Sequence, residues 1–400
     1  MDESPRAEPR LRWQTPVAVL AGAFLFNLGQ GVLRPTLPLY LQQVFAANYQ
    51  MVTLIPVVFG VGKWAASLPT GYLLDRVGRR RMMAGGLILI ALGDVGSAMT
   101  SAYGIFLTLR ALAGVGWAAF STVATTAMVD QPGSRGRGRA VSLLLMSETI
   151  GLLLGSTAGG WLYQGVNVAS PFVFEAICML VAVVAIAWWR VSTTVRPGSS
   201  PSRLDWRLLG VVLSTPGVLL MSLSNAVLIA IQTGVLVSLY PLLLVQQGGL
   251  HPEGVGLLIS LSVLGRLPGL WYAGSGSDRW GRVRVFVPGL VAYATLLGSL
   301  PLVTHPIVLG LWSFAIGTAA GCVAGLPTAL IGDRVAPPLT GVAVGWLRTM
   351  TDVGHILGPV VMGALADAMH LSAPFVFAAV LLVTIALWCR RHAVALSAST

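Results

Sequence analysis

The chain has 400 residues, 55% of them hydrophobic and only 10% charged, whereas an average soluble protein carries about 25% charge. Too little charge remains to coat a soluble enzyme of this length, and so apolar a composition excludes intrinsic disorder. A mean hydropathy of +0.80 and apolar segments of about 20 residues describe a polytopic membrane protein. The formal net charge of +11 would point to nucleic acid in a soluble chain. Here it is read as loop arginine, and no nucleic-acid partner is expected.

In chain order, about 14 polar residues precede the first apolar run, which is too long for a signal-peptide core. Twelve helical spans are expected, at about 15–44, 51–74, 82–101, 103–130, 140–162, 171–189, 217–245, 254–274, 284–303, 306–332, 341–367 and 374–389. The first and seventh contain Gly and Pro and are long enough to tilt or bend. Leu208 to Leu213 is expected to form a short interfacial helix before the seventh. Cys178, Cys322 and Cys389 lie within or at the ends of apolar spans, with neither metal-ligand nor CxxC spacing, so they are read as packing residues.

Twenty of the 25 Lys and Arg residues fall in the two termini and the even-numbered loops; the other five, Arg34, Lys63, Arg110, Arg266 and Arg348, lie inside spans. That asymmetry places both termini and the even-numbered loops in the cytoplasm. It predicts a multi-pass membrane protein.

The chain also matches itself at a shift of 203 residues. Gly31-Val32-Leu33 falls on Gly234-Val235-Leu236, and Pro171-Phe172-Val173-Phe174 on Pro374-Phe375-Val376-Phe377. Gly71, Asp75, Arg76, Gly78 and Arg79 fall on Gly274, Asp278, Arg279, Gly281 and Arg282, and Asp130 on Asp333. One register without a gap defines an internal repeat. With six spans in each half the repeat is parallel, and substrate sites in such transporters lie between the repeats. The expected domains are an N-terminal six-helix bundle at 1–189, a cytoplasmic linker at 190–207, and a C-terminal bundle with a short tail at 208–400.

The segment Gly71-Tyr-Leu-Leu-Asp75-Arg76-Val-Gly78-Arg79-Arg80-Arg81 resembles the G-x-L-x-D-R-x-G-R-R loop of the major facilitator superfamily, and it returns at Gly274 to Arg282. Arg110-Ala-Leu-Ala-Gly114 is similar to that family's R-x-x-x-G motif in span four. Gly151-x-x-x-Gly155-Ser156-x-x-Gly159-Gly160 resembles the G-x-x-x-G-P-x-x-G-G motif of its drug:proton antiporters, with Ser156 at the proline position; the proline is present in the second copy, Gly358-Pro359. The resemblance implies an all-α membrane protein of twelve helices in two pseudo-symmetric six-helix bundles. It also implies a cytoplasmic latch in which Arg79 pairs with Asp75 and with Asp130, the acid ending span four. The topology-anchor reading is kept for Arg80 and Arg81.

Charge inside a bilayer is costly and marks candidate sites. Lys63 lies 12 residues before Asp75, about 18 Å along the helix, and Arg266 is its repeat mate. Since spans two and eleven, and five and eight, face each other in the family's fold, Lys63 is expected to pair with Asp352, and Arg266 with Glu148. These pairs are candidate gates, against a reading as static glue or as an Arg348–Asp352 pair within one helix. Asn27, Gln30 and Arg34 share one face of span one and are the candidate substrate contacts. Arg110 matches a residue that the family links to proton coupling, and a guanidinium acts there by tuning a carboxylate. Asp94, Glu148, Glu175 and Asp352 are the candidate carriers, with Glu148 and Asp352 leading. His355 is weighed as a relay or a packing residue. The glycines Gly151, Gly155, Gly159, Gly160, Gly354, Gly358 and Gly363, with Pro359, are assigned to close helix packing.

No nucleotide-binding loop, metal spacing or catalytic set stands out, so no enzyme activity, cofactor or metal is expected. A proton gradient is the expected energy source. Together with the expected cell (inner) membrane location, the resemblance implies a monomeric secondary transporter exporting small lipophilic compounds by alternating access. A carrier of organic anions using Arg34, Lys63 and Arg266 is the alternative within transport; a membrane-embedded enzyme or a non-transporting receptor is the alternative outside it.

Overall fold

The computed structural model describes residues 9–129, 134–188, 206–215, 217–335 and 339–392. Every element among them is helical, as a bilayer requires, because a helix satisfies its own backbone N–H and C=O groups. The first six helices are α1 (Pro9–Phe45), α2 (Tyr49–Val77), α3 (Arg79–Met99), α4 (Tyr103–Val129), α5 (Ser134–Gly165) and α6 (Ser170–Trp188). A short α7 (Trp206–Ser214) covers the expected interfacial helix. Span seven is composite: α8 (Val218–Ala230), a π-helix at Ile231–Leu239, and α9 (Tyr240–Gln246). Then come α10 (Pro252–Trp280), α11 (Arg282–Ser299), α12 (Pro306–Ala324), α13 (Leu326–Gly332), α14 (Thr340–Ala368) and α15 (Ala373–Arg391). Span ten is therefore broken at Gly325 into α12 and α13. Ten spans meet a strict length and hydropathy test among the described residues; α2 and α14, of 29 residues each, complete twelve.

Two prolines at equivalent repeat positions behave differently. In α1 the helix runs on past Pro35 and Pro38, and the Thr36 hydroxyl donates to Val32 O at 2.9 Å. In span seven Pro241 follows a widened stretch, where Tyr240 N–H donates to Val235 O and the Ser238 hydroxyl donates to Thr233 O at 2.8 Å. Such i→i+5 geometry is rare and recurs at functional sites.

The chain forms two compact units. One holds Met1–Thr36 with Val58–Ser199, and the other Leu37–Val57 with Ser200–Thr400. In the first unit, α3 packs on α4 and α6 around a core that includes Met83, Leu87, Phe120, Met128 and Met179. Phe26 stacks on Phe120 with ring centroids 4.8 Å apart. In the second, α10 packs on α12, α11 on α15, and α14 on α8.

The helices approach closely enough that glycine is required. A Cβ on Gly151, Gly155 or Gly159 of α5 would stand 2.5, 2.1 and 2.2 Å from the carbonyl oxygens of Phe24, Leu28 and Val32 on α1. The spacing of four residues on both helices is one helical turn per step. Across α2 and α4, Gly62 and Gly114 meet Ala111 O and Phe59 O at 2.0 and 2.1 Å; their mates at 203 residues, Gly265 and Gly317, meet Phe314 O and Ser262 O at 2.1 and 1.9 Å.

Candidate functional site

Four helices of the first unit bring polar side chains together in its interior. Arg110 of α4 is 3% exposed, and Asp94 of α3 and Glu175 of α6 are wholly buried. The Arg110 guanidinium donates to Asp94 Oδ1 at 2.5 Å. Gln30 of α1 donates through its amide to Glu175 Oε1 at 2.5 Å. Phe172 and Phe106 wall the guanidinium, with ring centroids 5.3 and 5.7 Å from its central carbon. The apolar walls remove water and so raise the electrostatic stakes of every group inside.

The cluster contains one cation and two carboxyls. The second oxygens, Asp94 Oδ2 and Glu175 Oε2, are buried and receive no hydrogen bond from an N–H or O–H group among the described residues, although the two side chains are hydrogen-bond neighbours. Two carboxylates cannot bond to each other, because both are acceptors only. One proton placed between them supplies the missing donor, satisfies both oxygens, and leaves one negative charge for Arg110 to balance. Among the described residues the cluster thus lacks one donor for its two carboxyls.

Sequence reasoning names Arg110 but ranks Asp94 and Glu175 below Glu148 and Asp352. Its criteria are estimated depth and a position at the expected bundle interface, neither of which shows which helices share an interior. The usable signal is composition: 14 acidic residues occur in the whole chain, and two of them lie inside the most apolar spans of the first half.

The other expected residues are placed as follows. Asn27 donates to Ala23 O of its own helix at 3.0 Å, and Arg34 is half-buried on the same helix. Lys63 extends over Trp117, 4.2 Å from the ring centroid. Arg266 has the buried Tyr293 as an electrostatic neighbour. Glu148 and Asp352 are each half-buried. Lys63 and Glu148 belong to the first unit, Arg266 and Asp352 to the second. One residue before Asp352, the Thr351 hydroxyl accepts from Asn225 Nδ2 at 2.8 Å. His355 Nδ1 contacts Thr351 O at 3.1 Å, a bond within its helix. The Ser156 hydroxyl, at the antiporter motif's proline position, donates to Leu152 O at 2.8 Å. On α14, a Cβ on Gly354 or Gly358 would stand 2.3 Å from Ala226 O or Ala230 Cα of α8.

The Arg-rich loops carry the repeat into three dimensions. Gly78 and Gly281 make the same turn at φ 85° and 89°, a region that favours glycine. Arg79 is buried, Arg76 is exposed, and Arg80 donates to Ala187 O at 2.9 Å. Asp130 lies outside the described residues, and of Asp75 only the backbone is described. In the second copy Arg282 meets Asp333 twice, Nε to Oδ2 at 2.5 Å and Nη2 to Oδ1 at 2.9 Å. These are the repeat mates of Arg79 and Asp130. Because both side chains are partly exposed, Arg282→Gln should lower the stability of the solubilised protein by about 1 kcal/mol or less, read as a small fall in melting temperature.

Comparison with known proteins follows the same lines. The multidrug resistance protein MdtG of Escherichia coli K12 / DH10B is 24% identical over 391 residues, covering 94% of this chain and 92% of MdtG. The MdtG of strain 55989 is 25% identical over 391 residues with the same coverage. Among solved structures, the nucleoside transporter NupG aligns with a TM-score of 0.78 at 14% identity, over 95% of this chain and 98% of NupG. A bacterial homolog of the human lysosomal transporter Spinster aligns with a TM-score of 0.77 at 15% identity, over 98% of each chain. The family model described as Major Facilitator Superfamily matches residues 19–248 and again 222–397. With twelve spans, a duplicated Arg-rich loop and that double match, the chain belongs to the Major Facilitator Superfamily of secondary transporters.

Proposed function

We propose that this transporter is a proton-coupled exporter of lipophilic compounds, and that the Asp94–Glu175 pair carries the coupling proton. The observation behind this reading is the pair of buried carboxyl oxygens without a donor among the described residues, which one shared proton would satisfy. Arg110 holds the charge balance: with the proton present the cluster is neutral, and without it the cluster carries one net negative charge in an apolar interior. Loss of the proton is therefore favourable only when something else compensates, and a cationic or polar ligand entering beside Gln30 is such a compensator. Gln30 links the pair to the Asn27, Gln30 and Arg34 face of α1, the substrate contact in this reading. The multidrug name of the MdtG relatives supports a lipophilic substrate range. The loop arginines support cytoplasmic termini in a bacterial inner membrane, and a chain holding both repeats supports action as a monomer with bundles at 1–189 and 208–400.

A second reading, transport of organic anions, is favoured by Arg266, a cation inside α10 whose neighbour is the phenol of Tyr293 rather than a carboxylate. One experiment separates the two. Purified protein in liposomes with an internal pH dye is given a proton gradient, then tetraphenylphosphonium and ethidium, then benzoate and salicylate. Proton movement on adding the cations, absent in Glu175→Gln, is the expected result. Movement with the anions alone, absent in Arg266→Gln, would replace export of lipophilic cations by the second reading.

A further inference from the structure

The start of α2 is completed by a side chain from the far end of the sequence. A helix leaves its first N–H groups without partners. Here Asn48 Oδ1 accepts from Met51 N–H at 2.8 Å, an ordinary N-cap. The two donors before it go elsewhere: Tyr49 N–H donates to Asp367 Oδ1 at 2.9 Å and Gln50 N–H donates to Asp367 Oδ2 at 3.0 Å. Both oxygens of one carboxylate thus sit on the positive end of α2. Around this point the Tyr49 hydroxyl donates to Gln246 Oε1 at 2.9 Å. One turn before Asp367, Gly363 lies so close that a Cβ would stand 2.0 Å from Thr53 Oγ1.

All these residues lie in one compact unit, Leu37–Val57 with Ser200–Thr400. Yet Leu37–Val57 belongs by sequence to the first repeat, so a corner of the first repeat is held by the second. The arrangement is also one-sided. At the 203-residue register, Asp367 corresponds to Gln164, and Tyr49 to Pro252, which has no N–H to donate. Repeat symmetry therefore does not require Asp367.

We propose that Asp367 is a positioning residue for transport, the catch that holds the corner Leu37–Val57 onto α14 and lets go once in each cycle. Asp367 is exposed, so water takes over both sets of hydrogen bonds when the corner leaves, and the catch opens without stranding a buried charge. The Arg-rich loop at the opposite end of α2 carries the latch implied by the family resemblance. Helix α2 then has an acid-based fastening at each end, and alternating access needs the two to be made in turn. The inference rests on alternating access but not on the identity of the coupling ion.

The test uses full-length protein in nanodiscs with Cys178, Cys322 and Cys389 replaced by alanine and Thr53→Cys added; Thr53 is wholly buried. The maleimide reaction rate of Cys at position 53 reads how often the corner opens. Asp367→Ala removes both hydrogen bonds to the carboxylate and is expected to speed labelling at least about tenfold, and Asp367→Glu to keep the rate near that of the parent. An unchanged rate in Asp367→Ala would overturn the catch. A second variant serves if Asp367→Ala does not fold. Thr53→Cys with Gly363→Cys, where the Cβ atoms stand 3.1 Å apart before relaxation, is oxidised to a disulfide. Transport should stop and return with reductant. Transport through the closed disulfide would show that this corner does not open, and would count against alternating access at this end. A blocked cross-link combined with an unchanged Asp367→Ala rate would leave the moving corner standing and reject Asp367 as its catch.

Discussion

Arg110→Gln is expected to be the most damaging conservative substitution in the first unit, lowering stability by about 3–5 kcal/mol and abolishing proton-coupled flux. Arg110 is 3% exposed and bonded to a wholly buried Asp94. Removing the guanidinium leaves two carboxyls in an apolar pocket with no cation. The measurement is thermal unfolding of the solubilised protein together with flux in liposomes. Two companions separate the roles. Arg110→Gln with Asp94→Asn removes both charges and should recover most of the lost stability, because the deficit comes from an unpaired charge rather than a lost contact. Flux should stay absent in that double variant. Glu175→Gln keeps the shape, and its amide can donate to Asp94 as a protonated carboxyl does. It should fold with near-parental stability, bind ligand, and lose the dependence of transport on the proton gradient.

Gly155→Val is expected to prevent folding by overpacking, at a cost of at least about 3 kcal/mol. The side chain would start 2.1 Å from Leu28 O, with Gly31 Cα at 2.9 Å beyond it. Both obstacles are backbone, so no rotamer change relieves the clash, and α1 must separate from α5. That separation would also carry Gln30 away from Glu175. Gly85→Ala is the control, since a Cβ there meets nothing within 4 Å. It should be neutral or stabilising by about 1 kcal/mol, from helix propensity. Size-exclusion profiles and melting temperatures of the two variants distinguish a packing glycine from an incidental one.

The architecture is legible in the sequence because it rests on composition and repetition. Apolar length fixes spans, and a gapless 203-residue register announces the duplication that Gly78 and Gly281 display at φ 85° and 89°. The glycines of α5 are legible as packing residues for the same reason: their spacing of four is one helical turn. Local departures are less so. The π-helix at Ile231–Leu239 and the break at Gly325 depend on how particular backbone groups find partners, and Pro38, the repeat mate of Pro241, leaves α1 without a π-helix. The site is legible only in part. Arg110 stands in a recognisable motif, but its partner lies 16 residues earlier on α3 and Glu175 on α6. Hydropathy shows how deep a residue sits, not which helices enclose it. The Asp367 contact is illegible, because it joins a side chain near the end of one helix to the backbone N–H groups of another, and backbone donors leave no trace in sequence.

The shared proton is tested most directly by the infrared spectrum of the membrane-embedded protein, recorded as a difference between alkaline and near-neutral pH. A carboxyl that holds a proton in an apolar site gives a C=O stretch separate from that of a carboxylate. Such a band is expected in the parent protein, lost in Glu175→Gln, shifted in Asp94→Asn and unmoved in Asp352→Asn. A band that survives Glu175→Gln and Asp94→Asn but disappears in Asp352→Asn would contradict the shared proton, and would move it out of the Arg110 cluster.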